Sequence, residues 1–164
     1  MAEPRNPYEP PAAAVEDVGR RRGSPVKAVL YGVLVDIGGS IVAGLVIVIV
    51  YSIALASSGA SADDIQQALS DPSPLSWFSI VGFVVGCTAS FFGGYVCARV
   101  AASAEMKWVG MVAAVSGIVS LLMGANAYAF EWNALLALVG MAAVFAGGSI
   151  GARRNRRHEL AARR

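Results

Sequence analysis

A chain of 164 residues, of which 56% are hydrophobic and only 15% charged, falls well below the roughly 25% charge of soluble domains. Its charges also avoid four windows, 37–62, 72–98, 108–130 and 132–152, which hold 97 residues together. Each window is long enough as a helix to cross the roughly 30 Å of bilayer hydrocarbon. The pattern excludes a soluble globular enzyme, a disulfide-rich secreted module and a disordered protein. It predicts an all-α polytopic membrane protein with four transmembrane helices arranged as two hairpins.

Residues 1–27 read as a disordered polar tail. Pro4, Pro7 and Pro10 recur every third residue, which lines up one face of a polyproline II helix; a plain solvated tail is the simpler reading. The first span is predicted over about 28–56. Its centre, 41–50, is rich in β-branched residues, but lipid requires every backbone group to be bonded internally, so a helix prevails. The span is too long for a signal-peptide core and reads as an uncleaved anchor. In the loop 57–74, Ser61 can cap a short helix with Asp63 and Asp64 in its first turn. Ala62, Ile65, Ala68 and Leu69 line one face of it, suited to the membrane surface, and Asp71-Pro72-Ser73-Pro74 ends it. The remaining spans are predicted over about 75–98, 108–128 and 133–152. The short 126–133 connection makes the last two antiparallel neighbours. Trp77 and Trp132 mark one interface and Trp108 the other, with Arg99 and Arg153 as snorkelling anchors beside it. Residues 153–164 form a basic tail with six arginines and one glutamate that can continue the last helix and attract anionic lipid head groups. No specific nucleic-acid binding is expected of it.

All 13 Lys and Arg fall on one side of this threading: in 1–28, around 99–107, and from Arg153 onward. The other side carries Asp63, Asp64, Asp71 and Glu131 and no positive charge. The positive-inside bias predicts both termini in the cytoplasm of a bacterium, with the spans in its plasma (inner) membrane.

Shifting the chain by 54 residues lays Phe91–Arg99 over Phe145–Arg153 with five of nine positions identical. Either the chain contains two like hairpins related by an axis along the membrane normal, or Gly, Ala and Val are common enough here to match by chance. The row Gly82, Gly86, Ser90, Gly94, continued by Ala98, is a small-xxx-small pattern, as is Gly147 with Gly151. Such rows let backbones approach closely, within the bundle or between copies of a homo-oligomer.

Asp36 interrupts an otherwise apolar stretch, on the row Gly32, Asp36, Ser40, Gly44. It lies within the inner leaflet if the span starts at Ala28 and at the interface if the span is 37–56. An intramembrane carboxyl is costly and marks a functional candidate, so Asp36 with Ser40 forms the candidate polar site. A structural hydrogen bond or an interfacial cap is the plainer alternative. If the deeper register holds, Arg99 or Arg153 could reach it. Cys87 and Cys97 sit on one helix too far apart to bridge. No catalytic constellation, metal set or cofactor motif can be assembled, so neither an enzyme nor a cofactor is expected.

The long first span with its internal Asp36, the acidic loop from Ser61 to Asp71 and the Gly93-Gly-Tyr-x-Cys-Ala-Arg99 ending resemble small four-helix bacterial membrane proteins with no established activity. Those features cover about residues 28–152. The resemblance implies a non-enzymatic packing, interaction or membrane-complex component. An architectural likeness to small multidrug exporters implies the alternative, a proton- or cation-coupled transporter with Asp36 as coupling site. This chain is longer than those exporters, lacks their aromatic pattern and carries its acid further from the start.

Overall fold

The computed structural model describes residues 23–70, 73, 76–101, 104–124 and 129–162. Among these it is all-helical, and four helices are long and apolar enough to cross a membrane. The proline-patterned segment 1–22 lies outside the described residues, as do 125–128.

The first helix, α1, spans Pro25–Ser57. Pro25 suits its first turn, where a missing N–H costs nothing. Over Leu34–Gly38 the helix widens into a π turn, and Asp36 stands at its centre. Single π turns of this kind recur at functional sites. Gly59, with φ +91°, turns the chain beyond α1. The short helix α2 (Ala62–Leu69) follows, opened by a reciprocal capping box. The Asp64 amide donates to Ser61 Oγ, and the Ser61 amide and hydroxyl donate to Asp64 Oδ2 at 3.0 and 2.6 Å. These donors hold the exposed Asp64 carboxyl below the usual carboxylate range. Ile65, Ala68 and Leu69 are half-buried, whereas Ala62 is exposed.

The long helices α3 (Trp77–Val100), α4 (Glu105–Gly124) and α5 (Phe130–Ala162) complete the bundle. Ser76 caps α3 through the Ser79 amide. α1, α4 and α5 each start three residues before the predicted bounds, and α5 runs without a break through the basic tail, as the sequence allows. Once outside lipid, nothing in 153–162 breaks a helix, since Pro and Gly are absent from it.

The most extensive packing joins α3 to α5, then α4 to α5. At the basic end, small and β-branched residues form a closed core: Ala28, Cys97, Ala98, Val109, Val112 and Val144 are fully buried. The part of α1 beyond Gly38 contributes no buried residue, and Ile41, Leu45, Ile49 and Ile53 are all exposed. Among the long helices it leans chiefly on α3, with the Tyr51 and Phe78 rings 5.4 Å apart. The bundle is therefore tight at its basic end, and α1 packs loosely toward the acidic end.

Candidate functional site

The site is built from three helices. Asp36 lies eleven residues into α1, about 16 Å along it, and is only 3% exposed. Ser90 of α3 donates its hydroxyl to Asp36 Oδ1 at 2.7 Å. Ser116 of α4 donates its hydroxyl to Oδ2. Each carboxyl oxygen thus has a hydroxyl donor from a different helix. The approach depends on two glycines. A Cβ at Gly93 would stand 2.7 Å from Asp36 Cβ and 2.8 Å from the Gly32 carbonyl oxygen. A Cβ at Gly32 would stand 2.9 Å from both Cys97 Cβ and Val112 Cγ2. Only with hydrogen at both positions can α1 bring its carboxyl between the serines.

Asp36 forms the floor of a cavity of about 300 Å³ reached by all four long helices. Ser40 and Ser120 line it one turn from Asp36 and Ser116, on the side toward the acidic end. Gly86 and Cys87 line it on α3, and Gly124 and Asn133 bound it near the acidic end. Asn133 is 5% exposed and donates Nδ2–H to the Leu121 carbonyl at 2.9 Å. A Cβ at Gly124 would come within 2.6 Å of Asn133 Cγ. On the opposite side of Asp36 the core of Val109, Val112 and Cys97 closes the bundle. The cavity is therefore a one-sided recess.

The residues singled out from the sequence divide between several places. Asp36 and Ser40 share the cavity. The glycine row on α3 splits, contrary to its reading as one packing surface. Gly94 packs against the Val144 backbone of α5, and Gly147 and Gly151 pack against Phe91 and Tyr95 of α3. Ser90 bonds Asp36. Gly86 faces the cavity, and a Cβ at Gly82 or Gly86 would meet no atom within 4 Å. The reason is rotational: the close α3–α5 crossing is confined to the basic half, so the row leaves the interface toward the acidic end.

Arg99 does not approach Asp36. Its Nη1 donates to Asn155 Oδ1 at 2.9 Å, and Asn155 in turn donates to the Ala98 carbonyl at 2.8 Å and to Glu105 Oε1 at 2.7 Å. Arg153 is exposed. The arginine contact that the deeper register would have allowed is not formed, and two hydroxyls hold Asp36 instead, because α3 and α5 carry their arginines to the basic end. Trp108 packs at the edge of the basic-end core with the Lys107 ammonium 5.5 Å from its ring centre, while Trp77 and Trp132 are exposed at the acidic end.

Ser116, Asn133 and Asn155 were not singled out by sequence reasoning, and Gly93 entered only as part of the motif ending at Arg99. Ser116 and Ser120 are polar positions one turn apart in a charge-free window, and that was the available signal. Compared with known proteins, the chain matches no family, no curated protein and no solved structure.

Proposed function

We propose that this protein is a small proton- or cation-coupled transporter in which Asp36 is the coupling site. The observation that carries the reading is the carboxyl of Asp36, buried mid-bundle on the floor of a one-sided cavity and held by Ser90 and Ser116. The carboxyl bridges α1, α3 and α4, as a structural one would, but it also adjoins open space, which a purely structural bridge does not need. The packing or membrane-complex reading, including a homo-oligomer, has less behind it: Gly94, Gly147 and Gly151 are used within one chain, and of the row only Gly82 is left on an exposed surface. The activity is transport, with no catalysis and no cofactor. In liposomes holding the purified protein, a pH gradient is expected to drive flux of a monovalent cation, and Asp36→Asn to lower it at least about tenfold. Flux that is absent, or equal in Asp36→Asn, would reject the transporter reading.

The reading carries with it a place in the bacterial inner membrane with both termini cytoplasmic. Support comes from the exposed Arg153, Arg154, Arg156 and Arg157 on the α5 extension, suited to anionic head groups, and from Asp63, Asp64 and Glu131 at the other end. A cysteine at position 58, introduced as Ser58→Cys, is expected to react with a membrane-impermeant thiol reagent on intact cells. Ala161→Cys is expected to react only after permeabilisation. The reverse pattern would invert the topology.

A further inference from the structure

Among the described residues, the side chains that bond the buried Asp36 carboxyl are the uncharged Ser90 and Ser116, and none is cationic. The chain has no basic residue between Lys27 and Arg99, and none between Lys107 and Arg153. The basic residue that could have approached, Arg99, is bonded to Asn155. Two serine hydroxyls orient the carboxyl but bring no charge. A carboxylate left unbalanced within the hydrocarbon is costly, so a proton or a bound cation must neutralise it.

The donor set narrows the cation. Asp36 Oδ1 and Oδ2, Ser90 Oγ and Ser116 Oγ converge from three helices, with Ser40 and Ser120 one turn further along the cavity. All are hard oxygen donors, which suit alkali and alkaline-earth ions rather than metals that favour sulfur or imidazole. Among the described residues no three His, Cys, Asp or Glu side chains converge on a metal position. One carboxylate cancels one charge, so a divalent ion would leave a net positive charge in a low-dielectric bundle.

The approach is suited to a cation as well. The cavity extends to Gly124 and Asn133 at the end whose loops carry Asp63, Asp64 and Glu131 and no positive charge. Such a field raises the local concentration of cations. Cys87 is the other titratable group lining the cavity. The lining residues from α4 and α5, including Ser116, Ser120, Asn133 and Met141, carry no charge.

We infer that Asp36, Ser90 and Ser116 form a binding site for a monovalent alkali cation such as sodium or lithium, on the floor of the cavity that extends toward the acidic end, where the ion competes with a proton for the Asp36 carboxylate. The inference rests on the coupling role proposed above for Asp36 and names its ligand. Proton competition follows because the ligand carboxyl must lose its proton for the metal to bind.

The test uses the purified full-length protein in detergent micelles. Calorimetric titration and thermal unfolding are followed with NaCl, LiCl and CaCl2 against choline chloride at equal ionic strength. Sodium or lithium is expected to bind and raise the unfolding midpoint above that in choline. Lowering the pH is expected to weaken binding, by at most about tenfold per pH unit if one proton is released for each ion bound. Asp36→Asn is expected to abolish binding, and Ser116→Ala to weaken it about tenfold. Should Asp36→Asn fail to fold, the Ser90→Ala and Ser116→Ala variants decide, and unchanged affinity in both would overturn the site. So would equal behaviour in sodium, lithium and choline, or calcium binding tighter than either alkali ion. Asp36-dependent proton flux without alkali-ion binding removes this site but leaves the transporter reading standing. Binding that Asp36→Asn abolishes, in a protein without flux, does the opposite.

Discussion

Gly147→Val is expected to prevent the native bundle from assembling. A Cβ at Gly147 would lie inside the contact distance of the Phe91 carbonyl oxygen, 2.7 Å from its carbon and 3.1 Å from the Tyr95 nitrogen. These are backbone atoms of α3, which cannot rotate aside as the tip of a side chain can. The reciprocal contact has the same character: a Cβ at Gly94 would stand 2.8 Å from the Val144 carbonyl carbon and 3.0 Å from its Cα. The two helices therefore touch backbone to backbone, the approach that small residues permit in membranes. Relief requires α3 and α5 to separate along the most extensive interface of the bundle. Overpacking in a well-packed core typically costs 1–3 kcal/mol, and a rigid backbone clash belongs at or above about 3 kcal/mol. Gly82→Val is the matching control, since a Cβ there meets nothing within 4 Å. Thermal unfolding and size-exclusion profiles in detergent should show loss of the folded species for Gly147→Val and little change for Gly82→Val. Equal midpoints for the two would contradict the packing.

Gly93→Ala is expected to disable the Asp36 site without touching the acid itself. The added methyl would press on Asp36 Cβ at 2.7 Å, the Gly32 carbonyl oxygen at 2.8 Å and the Asp36 nitrogen at 3.2 Å. The least costly response moves α1 away from α3, which lengthens the Ser90 hydroxyl contact with Oδ1. The expected stability loss is about 1–3 kcal/mol, within what a bundle can survive. The expected functional loss is larger. Asp36-dependent flux should fall at least about tenfold, because a carboxyl displaced from its donors binds its ligand in the wrong geometry. Gly44→Ala, where a Cβ meets nothing within 4 Å, is the control for a small residue gained on the same pair of helices. If Gly93→Ala transports as well as the unsubstituted protein, Asp36 does not need the geometry described.

Both predictions rest on rotations that the sequence leaves open. In water, a buried helix face differs from an exposed one in polarity, and the pattern of apolar residues reveals it. In lipid both faces are apolar. Leu45 and Ile49 of α1, exposed to the surroundings, are as hydrophobic as the fully buried Val109 and Val112 of α4. Polarity therefore says little about which side of a span packs inward. Gly82 and Gly94 look alike in the sequence, yet one faces open space and the other a backbone. The same ambiguity hid Ser116, whose hydroxyl matters only because α4 turns it toward α1.

The four spans, the acidic and basic ends, the Ser61 cap and the prominence of Asp36 were determined by the sequence alone. Each depends on local properties: a run without charge, the composition of a loop, a capping residue before an acidic first turn, or one carboxyl in an apolar stretch. Only the tertiary structure decided that Asp36 meets Ser90 and Ser116 rather than Arg99, that a π turn holds it there, and that the bundle is closed at one end and hollow at the other. Those outcomes depend on how far one glycine-bearing backbone can approach another. That distance is set by the shape of two helices together and is written in neither one.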